Sequence, residues 1–185
     1  MPETLILMGE ERMEKTIESL KKSLSLIRTG RANPAILNNV TVDYYGVATP
    51  VNQIASISVP EAQLLVIKPY DKSTLKNIEK AIQTADLNLT PNNDGTVIRI
   101  NFPPLTEQRR KEFVKEVKGL AENAKVAIRN IRRDVNEQLK KMEKNSEISE
   151  DALKGYNDDV QKITDKWIAN VDSVCKEKET QIMTI

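Results

Sequence analysis

The stretch TEQRRKEFVKEVKGLAENAKVAIRNIRRDVNEQLKKM, Thr106 to Met142, decides the fold. It contains no proline, and Gly119 is its only helix-weakening residue. At about 100° per residue its side chains sort into three sectors. Val117, Leu120, Ala124, Ile128, Ile131, Val135, Leu139 and Met142 recur at steps of three and four, so they form one apolar stripe. Lys111, Lys118, Lys125, Arg129, Arg132, Arg133 and Lys140 fall on the neighbouring sector, and most of the acids (Glu112, Glu116, Asp134, Glu137) on a third. A helix that needed only solubility would mix its charges. This one separates them, which predicts a core face beside a cationic face turned to a partner.

Outward from that stretch, two further helices are predicted. From Glu3 to Thr29, Met13, Ile17, Leu20, Leu24 and Ile27 alternate steps of four and three, a seam suited to other helices. Thr29-Gly30 followed by Pro34 is its expected stop. Thr106 caps the long helix, with Glu107 at its positive end. Ser149 caps the last one, whose expected inward face is Val160, Ile163, Trp167, Val171 and Val174, continuing towards Ile182.

Between Ala35 and Phe102 the period changes. Val40, Val42 and Tyr44 alternate with polar neighbours and run into a Tyr45-Gly46 turn. Val51 to Val59 and Leu64 to Ile67 read as strands, and Asp71 or Ser73 caps a short helix carrying Leu75, Ile78, Ile82 and Ala85 on one side. Pro91 to Gly95 is dense in turn residues, and Thr96 to Phe102 reads as a closing strand.

Three amphipathic helices cannot bury their stripes singly, so the expected fold is α+β: a long three-helix bundle, residues 1–29 and 106–185, with a small β/α/β domain, residues 31–104, inserted between its first two helices. Gly30 to Pro34 and Phe102 to Leu105 are the two connections. Gly30, Ala32, Pro34, Pro103, Pro104 and Leu105 are therefore candidate hinge residues.

Composition narrows the function. The chain of 185 residues carries a net charge of only +1, yet Thr106 to Lys144 holds 12 Lys and Arg against 7 Asp and Glu, leaving −4 elsewhere. Such asymmetry points to a polyanion face better than the total does. There is no histidine and Cys175 is the sole cysteine, so the commonest general base, an internal disulfide and a thiolate zinc site are all missing. No nucleophile–base pair, phosphate-cradling glycine loop or cofactor motif occurs, and no catalytic residue or metal ligand is expected. Short apolar runs and a start, Met1-Pro2-Glu3-Thr4, without a signal-peptide pattern lead to the expectation of a cytoplasmic protein with no membrane contact and no small-molecule substrate.

Arg129, Arg132 and Arg133 lie within one helical turn, so their guanidinium groups can engage adjacent phosphates. The same residues also fit a solvated face paired with Glu122, Glu137 or Asp134. Arg28 and Arg31 bracket the expected end of the first helix, where cations also serve the helix dipole. Arg109-Arg110-Lys111 sits at a helix start, the wrong end for that purpose. Tyr44 and Tyr45 fit sheet positions, and Trp167 and Cys175 fit interhelical packing.

Several blocks occur in order: Thr29-Gly30-Arg31-Ala32-Asn33-Pro34, Val42-Asp43-Tyr44-Tyr45-Gly46, Pro69-Tyr70-Asp71, Asp94-Gly95 with Ile98-Arg99-Ile100, Pro104-Leu105-Thr106-Glu107, Val126 to Asp134, and Asp158 to Lys162. Together they resemble the bacterial ribosome recycling factor family along essentially the whole chain. The resemblance implies an L-shaped molecule on a flexible elbow that enters the intersubunit space where tRNA sat. With elongation factor G and GTP hydrolysis on that factor, it splits the post-termination ribosome. By position it implies contact with large-subunit ribosomal RNA through Arg132, Arg129, Arg110, Arg28 and Arg31, with Arg133 in the same block. Gln108 and Trp167 depart from the family pattern. A different class, a helical-bundle interaction or chaperone-like module, would bind peptides or oligomerise insensitively to salt, whereas recycling implies a monomer whose ribosome affinity falls as salt rises.

Overall fold

A computed structural model describes residues 1–85, 87 and 89–184. The chain divides into two compact units. One holds Met1–Leu24 and Lys111–Gln181, the other Ser25–Arg110 and the last residues from Ile182.

The first unit is built from most of three helices, α1 (Pro2–Ser25), α4 (Glu107–Lys144) and α5 (Glu150–Met183), the first turn of α4 and the end of α5 falling in the second. Side-chain pairs fix their directions. Arg12 meets Asp134 at 3.0 Å, and Gly9 lies against Val135, so α1 and α4 run antiparallel. Tyr156 donates to Glu3 at 2.8 Å and Lys166 to Glu10 at 3.2 Å, so α5 runs parallel to α1. Hydroxyl caps start both long helices, as the sequence predicts: the Arg109 N–H donates to Thr106 Oγ1 and the Ala152 N–H to Ser149 Oγ. The seam buries Met13, Ile17, Leu20 and Leu24 of α1 against Val117, Ala124, Ile128, Ile131, Val135 and Leu139 of α4. Each Val, Leu, Ile or Met among them contributes about 1.5–3 kcal/mol relative to an exposed position, a gross term set against chain entropy.

Two readings of these helices need correction. α1 ends at Ser25, not Thr29, because the chain passes into the second unit there; Ile27 is still buried, but outside the helix. Gly30 has the left-handed φ of 82° expected of it, five residues beyond the helix end. On α5 the buried row is Val160, Thr164, Val171, Cys175, Lys178 and Ile182, while Ile163, Trp167 and Val174 are half-buried flanks. Two polar residues share that row, and they fare differently there. The Thr164 hydroxyl donates back to the Val160 carbonyl at 2.8 Å, and the long methylene stem of Lys178 packs as an apolar chain.

In the second unit, β3 (Ala55–Glu61), β4 (Leu64–Pro69), β6 (Ile98–Asn101) and β5 (Pro91–Asn93) form an antiparallel sheet in the order β3-β4-β6-β5. A separate hairpin joins β1 (Thr41–Tyr44) to β2 (Val47–Pro50). Its two turn residues, Tyr45 at φ 50° and Gly46 at φ 83°, are both left-handed, which matches the twist of a two-residue hairpin. Helix α3 (Leu75–Thr84) lays Leu75, Ile78 and Ile82 onto a core with Leu65, Ile67, Ile98, Ile100 and Phe102. It stops at Thr84, so Ala85, expected on that side, lies beyond the helix and is exposed. Asp71 caps the short 3-10 turn before α3 by accepting from the Ser73 N–H at 2.9 Å.

Here too the sequence misleads twice more. Val51–Ile54 is a single helical turn, α2, and not the start of a strand: the Val51 N–H donates to the Val40 carbonyl and closes the hairpin before β3 begins. Pro91–Asn93 is an edge strand rather than a turn, a place where proline's missing N–H costs nothing to the ladder. The turn itself is Asp94-Gly95, where Asp94 accepts from the N–H groups of Thr96 and Val97. Those bonds, with Arg99 beside them, hold its carboxyl below the usual range.

Candidate nucleic-acid interface

Helix α4 sets the candidate arginines by simple spacing. Arg129, Arg132 and Arg133 occupy one turn next to the buried positions Ile128 and Ile131, so packing fixes the backbone that carries them. Arg132 is half-buried and donates to the side-chain oxygen of Gln161 at 3.2 Å. Gln161 in turn donates to Asp165 at 2.8 Å. A neutral amide therefore steers the Arg132 guanidinium without cancelling its charge, and the other N–H groups of the fork have no partner among the described residues. Arg129 lies 3.7 Å from Glu122, with its side chain 41% exposed and that of Glu122 66% exposed. A solvated pair like this is worth about 0–1 kcal/mol and opens cheaply against a phosphate. Arg133 is exposed, and its side chain makes no ion pair or hydrogen bond to another described residue.

The acids that could have neutralised this turn are engaged elsewhere. Asp134 pairs with Arg12 across to α1, and Glu137 pairs with Lys141 along α4 at 3.6 Å. Lys125, one turn before Arg129, is bound to Asp172 on α5. Net positive charge remains at Arg132 and Arg133.

The other three candidate arginines belong to the second unit. Arg28 is half-buried, 6.0 Å from the centre of the Phe102 ring, within reach of a cation–π contact. Arg31 is exposed. Arg110 donates to the Met183 carbonyl at 3.4 Å. The structure thus gathers Arg129, Arg132 and Arg133 into one group, while Arg110 stands at the start of the same helix, where the second unit ends, and Arg28 and Arg31 lie in that second unit.

Of the candidate hinge residues, Gly30 is buried. Ala32 is tied by its N–H to the Ala62 carbonyl at 2.7 Å and sits in the sheet core. Pro34 opens a 3-10 turn, Pro34–Leu37, capped by Asn33. Pro103 and Pro104 are exposed and Leu105 half-buried, following Phe102, whose N–H donates to the Gln63 carbonyl. The contribution of Gln161 was missed in the sequence because it lies on α5, out of reach of any reading of α4 alone.

Among the described residues no group of three or more acidic or thiol side chains is placed to hold a metal, and no helix is long and apolar enough to cross a membrane. The family model described as ribosome recycling factor matches residues 20–183. The chain belongs to the ribosome recycling factor family. Ribosome-recycling factors are similar over their full length: that of Geobacillus sp. strain WCH70 is 60% identical over 185 residues, and that of Listeria innocua 58%, each covering 100% of both chains. Among solved structures, a solution structure of ribosome recycling factor superposes with a TM-score of 0.83 at 38% identity, covering 100% of this chain and 98% of the other. A T. thermophilus ribosome recycling factor, described with E. coli elongation factor G bound to the E. coli post-termination complex, gives 0.68 at 45% identity, with 99% of each chain covered.

Proposed function

We propose that this member of the ribosome recycling factor family binds the ribosome after termination, in the cytoplasm and as a monomer. With elongation factor G and GTP it promotes separation of the subunits. The observation that carries the RNA-binding part is the arginine turn of α4: Arg132 steered by an uncharged amide, Arg133 exposed, and their nearest acids drawn to Arg12 and Lys141. Such a surface grips phosphate by charge-assisted bonds, and its affinity falls as salt releases the counterion advantage. Arg129 joins it once its weak pair with Glu122 opens. Arg110, Arg28 and Arg31 supply further RNA contacts. The factor does no chemistry of its own and acts as a docked strut. With Ala32 and Pro34 held in the body of the sheet unit, flexing is assigned to Leu26–Gly30 and Pro103–Leu105, where the smaller unit would take up the push from elongation factor G.

Cosedimentation with purified ribosomes at two salt concentrations tests this. Arg132→Ala is expected to weaken binding by about tenfold to a hundredfold, the range for losing bonds to a charged group. Helical circular dichroism and Tm should stay close to wild type. An Arg132→Ala protein that binds equally well, or a wild-type affinity indifferent to salt, would refute the proposal, and an unfolded variant would mark Arg132 as structural.

A further inference from the structure

Met1 and the first two turns of α1 carry an unusual load of exposed apolar side chains: Met1 is 88% exposed, Leu7 59% and Met8 57%. None is needed for the bundle seam, whose α1 residues begin at Gly9. Leu7 borders a groove of about 440 Å³ between the parallel helices α1 and α5. Ile6, Leu7 and Ile163 give it an apolar floor, and Glu3, Glu10 and Asp159 give it an acidic rim. Among the described residues the lining holds three acids and one base, Lys162, and with Lys166 paired to Glu10 from outside the groove the rim still carries a net negative charge. Tyr156 donates to Glu3 and keeps that carboxylate in place. Its acidic rim repels phosphate, which sets this surface apart from the arginine turn of α4 and argues against RNA or an anionic lipid as its occupant.

We propose that the α1–α5 groove is a second docking surface, for a cationic amphipathic protein segment that seats one or two large apolar side chains on Ile6, Leu7 and Ile163 while its Lys or Arg residues meet Glu3, Glu10 and Asp159. The length fits. Glu3 to Glu10 spans about 11 Å of helix, room for roughly two turns of a docked helix. Apolar contact supplies affinity, and the carboxylates select a basic over an acidic segment. This surface is independent of the ribosomal RNA reading and stands or falls separately from it.

The test uses the full-length protein and a fluorescein-labelled synthetic peptide with leucines at helical spacing and lysines elsewhere, followed by fluorescence anisotropy. Binding is expected in the micromolar range. Leu7→Ser and Asp159→Lys should each weaken it about tenfold, with Lys76→Glu on α3 as an unaffected control. Both test positions are exposed, so circular dichroism should be unchanged; if one variant misfolds, the other decides. The proposal is overturned if the peptide does not bind, if a glutamate-for-lysine counterpart binds as well, or if both variants bind like wild type. Leu7-dependent self-association in sedimentation would assign the groove to a second copy, and Leu7-dependent binding to phosphatidylglycerol vesicles would assign it to a membrane. Either result also overturns it.

Discussion

The two units bury their chains by different means. In the sheet unit, Val42, Leu65, Ile67, Ile78, Ile98 and Ile100 are almost wholly removed from solvent, and the buried Thr74 hydroxyl donates to the Asp71 carbonyl at 2.7 Å. In the bundle the buried row of α5 includes Thr164 and Lys178. Buried side-chain atoms of Asn136, Asn157, Asn170 and Trp167 have no partner among the described residues. A thick core of branched aliphatics fixes a small body. A thin seam between long helices leaves most of their surface outside, where α4 displays its arginines and α1 and α5 their acidic groove. The bundle gives up core quality for display area.

The sharpest way to break this contrast is Ile78→Ala. Ile78 of α3 is fully buried, and its truncation should cost about 2–5 kcal/mol, the range for emptying a buried isoleucine site. Hydrogen exchange should then show protection lost in β3 to β6 while amides of α4 and α5 retain theirs. Simultaneous loss in both would mean that the units do not differ in the way described.

A smaller effect is expected from Gly9→Ala in the bundle. A Cβ there would stand 2.7 Å from Val135 Cγ2, so α1 and α4 must separate or Val135 must move, at about 1–3 kcal/mol by urea denaturation. The same change at Gly119, whose surroundings are open, should stabilise by about 0.5–1 kcal/mol through helix propensity alone. Equal effects at the two glycines would show that the seam is looser than its geometry implies.

The smallest effect concerns Lys178, 9% exposed. Burial pushes its ammonium below the ordinary value of 10.5, so folding costs solvation whenever the group is charged in both states. That cost is fully present at neutral pH and is relieved as pH rises through the lowered value towards 10.5. Lys178→Met should therefore raise Tm by a few degrees at pH 7, with the gain shrinking in alkaline buffer. A lower Tm at neutral pH would reveal a role for the charge.

Periodicity made the helices legible because only a helical backbone brings side chains at steps of three and four onto one face; the α4 stripe from Val117 to Leu139 is buried much as its spacing predicts. It failed where the answer depends on a second element. Val51–Ile54 has strand composition, yet becomes a turn because Val40 takes its first N–H. On α5, Ile163 and Trp167 look more apolar than Thr164 and Lys178, but the angle between three helices, invisible in one, selects the row. The arginine turn was legible as residues. The amide that steers Arg132 and the ties that occupy Asp134 and Glu137 were not, because each is made across or along a folded helix.

The insertion of the sheet unit between α1 and α4 also sets an order of birth. As the chain leaves the ribosome that makes it, β1 to β6 are complete before any residue of α4 appears, so the sheet unit has all its own parts early. Helix α1, which emerges before the sheet unit, must wait with Met13, Ile17 and Leu20 uncovered until α4 and α5 are synthesised. During that interval it is the segment most in need of a chaperone, and slowing synthesis between Asn101 and Ser149 should lengthen its exposure.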